Sequence, residues 1–153
     1  METTTNLGHE VIREWLQDGK ICAYTFHNST RLASDVWALD VKKMLDQVPP
    51  NGLFYWLIDF SPTNATLTPY NGHLARQLAG YRPDVGGNLA VIVRPSLGGH
   101  ALRFFAERLP FRGRLQVFFD RPSALVWLLA NINSKGKGLS ASDNTLQSDS
   151  PFT

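Results

Sequence analysis

Residues 53–60, LFYWLIDF, hold seven apolar or aromatic side chains in eight positions. The run lies between Pro49-Pro50-Asn51-Gly52 and Ser61-Pro62. Eight residues between breakers is strand length, and an apolar character that does not alternate means that both faces of the strand are covered. A sheet covered on both faces needs helices on both sides, so this run predicts an α/β domain.

The flanking segments fit that reading. Residues 10–16, EVIREWL, alternate apolar and polar side chains, Asp18-Gly19 is a two-residue hairpin signal, and residues 20–27, KICAYTFH, continue as a second strand. His27-Asn28-Ser29-Thr30 then offers several N-caps. Leu32, Val36, Trp37, Val41, Met44 and Leu45 recur at helical spacing, with Asp35, Asp40, Lys42 and Lys43 largely off that stripe. The Pro-Pro-Asn-Gly segment ends this helix.

Downstream, Thr68-Pro69 is a helix start, with Thr68 as cap and proline where its missing N–H costs nothing. Tyr70, Leu74 and Leu78 form the stripe, and Gly80 is the expected C-cap. Residues 88–94, NLAVIVR, read as a buried strand and 95–99 as a loop. Ala101, Leu102, Phe104, Phe105 and Leu109 read as a helix closed by Pro110. Residues 114–119, RLQVFF, form the last strand. Asp120 caps a final helix with Pro122 in its first turn and Ala124, Leu125, Trp127 and Leu128 on its apolar side. From Ser134 on, the chain is polar and aperiodic. The expected organisation is one domain over 1–133 and a disordered polar tail over 134–153. The domain is an N-terminal β-hairpin followed by alternating α and β, a five-stranded mixed sheet with about four helices. A chain of 153 residues suits that single domain.

Composition narrows the function classes. The one cysteine, Cys22, excludes an intrachain disulfide and a multi-thiolate metal site, and suits a reducing compartment. His9, His27, His73 and His100 show no ligand spacing, so no metal is expected. No window is apolar enough to span a bilayer and no signal sequence is legible, so a cytoplasmic protein without a membrane partner is expected. The net charge of +2 is uneven. Residues 71–130 carry eight arginines against three carboxylates, whereas 1–70 carry five basic and eight acidic residues. The arginines sit at element ends and read as solvated, and the aromatic residues fall on apolar stripes, which argues against a nucleic-acid surface.

Together the element order and the segments "WLIDFS", "LAVIVRP" and "VFFDRPSALVWLL" resemble the SpoIIAA-like fold of STAS domains, closest to the stand-alone bacterial STAS/SEC14-like relatives. The resemblance covers residues 10–130. It implies a non-enzymatic regulatory domain of the anti-sigma factor antagonist type, with a protein partner. In that family an Asp-Leu-Ser ends the central strand and an Asp-Ser-Ser-Gly turn opens the next helix. The first serine of that turn is phosphorylated by a partner kinase that is also an anti-sigma factor. Asp59-Phe60-Ser61 matches the first element. The second is absent, since the helix opens with Thr66-Leu67-Thr68-Pro69.

Two sets of residues are candidates for a site. Asp59, Ser61, Thr66 and Thr68 form a polar lip at the end of the central strand, where sheets of this class place their working residues. Arg94, Ser96, Gly98, Gly99 and His100 surround a second strand-to-helix turn, where a guanidinium beside free N–H groups suits an anion. That turn matches neither dinucleotide nor P-loop spacing. No nucleophile elbow or paired carboxylates are legible, so neither an enzyme nor a cofactor is expected. A protein-interaction domain using residues 59–70 is the first expectation. A small anionic ligand or nucleotide at Arg94 and His100 is the alternative, and a small enzyme comes third. A homodimer is left open.

Overall fold

The computed structural model describes residues 3–62, 65–96, 99 and 114–148, with the side chains of 135–148 left aside. Strand residues alternate strictly between two apolar layers. In β4 (Tyr55–Asp59), Ile58 and half-buried Trp56 face one layer, while Tyr55 and Leu57 face the other. In β5 (Leu89–Ile92), Leu89 and Val91 oppose Ala90 and Ile92 in the same way. The strand read as covered on both faces is therefore covered on both.

Six strands form one mixed sheet in the order β1-β2-β3-β4-β5-β6. β2 (Val11–Leu16) runs antiparallel to both of its neighbours, β1 (Thr4–Gly8) and β3 (Ile21–Phe26). β4, β5 and β6 (Leu115–Phe118) continue from β3 in parallel. The expected hairpin is present as β2–β3, but β1 makes the sheet six-stranded rather than five-stranded. β1 reads TTNLG, with no apolar alternation to announce it. It is an edge strand, largely exposed, held to β2 through a turn in which Gly8, His9 and Glu10 all adopt positive φ. The β2–β3 turn also differs from a two-residue hairpin. Leu16 pairs with Ile21, and Gln17, Asp18 and Gly19 all take positive φ, so four residues make the reversal.

Three helices are present among the described residues. The fourth expected helix, over 101–109, lies outside them. α1 (Arg31–Asp46) is capped by Thr30, whose side chain accepts from the Ala33 N–H at 3.1 Å. Such a cap is worth about 1 kcal/mol. α2 (Pro69–Tyr81) opens with a capping box in which Thr68 and Asn71 satisfy each other's backbone N–H. It ends at Tyr81 with Arg82 as its C-cap, two residues past the expected Gly80. α1 and α2 belong to the layer on one side of the sheet. α3 (Arg121–Ser148) covers the other side through Ala124 and Leu128. Its backbone stays helical through residues 134–148, where composition suggests an aperiodic tail; extending an existing helix costs far less than starting one. Residues 149–153 lie outside the described part. Among the described residues no helix is long and apolar enough to cross a membrane.

Candidate functional site

β3, β4, β5 and β6 run parallel, so their C-terminal ends share one edge. The first candidate set lies there, but the structure divides it. Asp59 faces the α3 side and is buried, with one carboxylate oxygen accepting from the Ser61 N–H at 2.8 Å. The other oxygen accepts from Arg121 at 3.3 and 3.4 Å. The same guanidinium donates to Glu14 at 2.9 Å and to the Thr25 hydroxyl at 3.0 Å. Arg121 thus ties the start of α3 to β2, β3 and β4, with the buried Asp59 carboxylate held inside that tie. Thr68 is half-buried and serves as the α2 cap.

Ser61 and Thr66 remain exposed. Ser29 braces this lip from the end of β3: its hydroxyl donates to the Thr66 carbonyl at 2.7 Å and accepts from the Thr66 N–H at 2.5 Å.

The second set meets the first. Arg94 is exposed at the end of β5, and its guanidinium donates to the Ala65 carbonyl at 3.1 Å. Ser96, also exposed, accepts from the Gly99 N–H at 3.0 Å. Gly99 is needed there, because a Cβ would come within 2.6 Å of the Arg94 carbonyl oxygen. Gly98 and His100 lie outside the described residues. Ser61, Thr66, Arg94 and Ser96 thus line one rim across the ends of β4 and β5. It offers hydroxyls and one guanidinium for hydrogen bonding. Among the described residues no group of three or more His, Cys, Asp or Glu side chains could hold a metal ion.

On the opposite face lies a polar network that the apolar stripe conceals. Asp40, expected off the stripe of α1, is buried. Arg13 donates to both of its carboxylate oxygens at 2.6 and 2.8 Å, and the Tyr24 hydroxyl donates at 2.9 Å. Asp40 follows Trp37 by three positions and precedes Met44 by four, so it shares their inward side. That spacing was the available signal. Cys22 lies beside Tyr24, fully buried, and burial pushes its thiol up to about 12. Burial likewise pushes the Tyr24 phenol up, with the neighbouring Cys22 and Asp40 adding to it. Neither group is poised to react at neutral pH.

The sheet, its covering layers and this rim define the class as an α/β domain with a mixed sheet. Comparison with protein-family models, with curated proteins and with solved structures returns no match for this chain.

Proposed function

We propose that the chain is a SpoIIAA-like, STAS-type bacterial regulatory domain that binds a protein partner through the rim formed by Ser61, Thr66, Arg94 and Ser96, without catalysis. In this reading it acts in the cytoplasm, which a lone buried thiol suits.

The observation that carries the reading is the strand order. In open α/β sheets, ligands settle in the crevice where the strand order reverses. Here the order runs from β1 to β6 without reversal, so the C-terminal edge lacks that crevice and offers a rim instead. The carboxylate at this edge supports the same reading, because Asp59 is consumed by Arg121 and the Ser61 N–H.

The test is a capture experiment with the full chain. The wild type, a rim variant (Ser61→Arg with Thr66→Arg) and a control on exposed α1 (Leu39→Ser) are each exposed to extract of the source organism. A stoichiometric partner retained by the wild type and the control but lost by the rim variant is expected. Equal capture by all three would overturn the proposal.

A second reading rests on Arg94. Its described hydrogen bond goes to a carbonyl, which leaves the positive charge without a carboxylate among the described residues. A small anion at the rim would supply it. Inorganic phosphate should then raise the melting temperature of the wild type but not of Arg94→Ala. Identical shifts in both would exclude this second reading.

A further inference from the structure

At the opposite end of the parallel strands lies a cavity of about 490 Å³. It falls within the roughly 300–1,000 Å³ range of small-molecule sites. The cavity exists because of how α2 docks. α2 is fastened to α1 by side-chain hydrogen bonds, while Leu74, Ala75 and Leu78 join the apolar layer on the sheet. Asn71 donates to the Ser34 hydroxyl, the Tyr70 hydroxyl to Asp35, and the Tyr81 hydroxyl to Asp46 at 2.9 Å. The α2 positions lining the cavity include Ala75, Ala79 and Gly80, which are too small to fill the gap.

The floor is aromatic and aliphatic. Phe54 and Trp56 line it with ring centroids 5.8 Å apart and planes inclined by 36°. Leu89 and half-buried Leu115 complete it from β5 and β6.

The polar part of the lining is one-signed. Arg76, Arg82 and Arg114 line the cavity, and among the described residues no carboxylate does. Arg82 is spent on Asp84 and on the Leu45 and Val48 carbonyls. Arg114 donates to the Val85 and Gly87 carbonyls, which leaves its charge without a carboxylate among the described residues. Exposed Arg76 makes no hydrogen bond or ion pair with any described residue. An apolar aromatic floor beside two guanidiniums that meet no carboxylate among the described residues is complementary to one ligand chemistry: a flat ring system for offset stacking on Trp56 and Phe54, and an anionic group for the guanidinium fork.

We infer that the cavity between the C-terminal half of α2 and the starts of β4, β5 and β6 binds a small aromatic carboxylate. This site is separate from the rim and does not depend on the function proposed for it.

The test uses the full chain and two probes that differ in charge, 2-naphthoate and 2-naphthalenemethanol, followed by calorimetry and by ligand-observed NMR. Saturable binding of the carboxylate is expected, at least tenfold tighter than the alcohol. Ala79→Leu fills the space from an exposed helix position and should abolish binding while circular dichroism stays unchanged. Arg76→Glu should weaken binding at least tenfold, and Arg94→Ala should leave it unchanged. Three results would each overturn the inference: no saturable binding at millimolar probe, equal affinity for the two probes, or binding that survives Ala79→Leu but is lost in Arg94→Ala.

Discussion

Arg13 and Glu14 are neighbours in β2, and the pleat sends them to opposite faces of the sheet. Each joins a network centred on an arginine. On the α1 face, Arg13 reaches from the strand into the middle of the helix and meets Asp40 and Tyr24. On the α3 face, Arg121 reaches from the helix start back to Glu14, Thr25 and Asp59. The arrangements look alike and differ in solvent access. The side chains of Arg13 and Asp40 are 15% and 10% exposed, whereas those of Arg121 and Glu14 are 32% and 26% exposed. A charge removed from the first network leaves a largely buried partner with little water to take its place. A charge removed from the second leaves Glu14 within reach of water, and leaves Asp59, 8% exposed, with the Ser61 N–H still bound to it. The first is therefore a strong constraint on how α1 seats, and the second a weaker brace at the edge that carries the rim.

That contrast can be broken by mutation. Asp40→Ala should cost about 3–5 kcal/mol, because it strands the Arg13 guanidinium. The double change Arg13→Met with Asp40→Leu should recover most of that loss, as read by urea unfolding. A double variant as unstable as the single one would mean that the stranded charge is not the cause. Tyr24→Phe should cost about 1.5–3 kcal/mol, the worth of a hydrogen bond to a charged acceptor.

The α3 face should respond less. Arg121→Ala should cost about 1–3 kcal/mol, since buried Asp59 loses its cation but keeps the Ser61 N–H. Glu14→Gln should cost less than about 1 kcal/mol. Losses as large as that of Asp40→Ala would erase the distinction between the two faces.

The smallest effect belongs to a third pair, between residues only two positions apart. The Arg82 guanidinium, helped by the Asn51 N–H, holds the Asp84 carboxyl well below the usual carboxylate range. A carboxylate depressed in the folded state contributes stability above its unfolded pKa of about 3.9 and loses it as pH falls below that value. Urea midpoints measured from pH 6 down to pH 2 should therefore fall less steeply in Asp84→Asn than in the wild type. Equal slopes would show that the pair adds nothing in solution.

Local signals announced much of this molecule. The 53–60 run, the cap at Thr68, a cap within 27–30 and the helical stripe of α1 report preferences that act within a few residues, and the same elements stand in the folded chain. The rim was half legible. Ser61, Thr66, Arg94 and Ser96 could be placed at strand ends, but not next to one another, because the hydrogen bond from Arg94 to Ala65 spans 29 residues. The edge strand β1 was invisible for a different reason. A largely exposed strand carries no apolar alternation, and its partner supplies the pairing.

The amino-acid order alone determined that helices must cover both faces of a parallel core, since a strand such as YWLID cannot leave either side in water. Only the tertiary structure decided which charges are buried. Asp59 and Asp40 read as ordinary carboxylates, one at a strand end and one on a helix flank. One closes on an arginine 62 positions away and the other on an arginine 27 positions away. Charge burial depends on what folds over a residue, and no local pattern encodes that. The cavity beneath α2 follows the same logic. Ala75, Ala79 and Gly80 are unremarkable helix residues until the helix is fastened to α1 and they line the space beside Phe54 and Trp56.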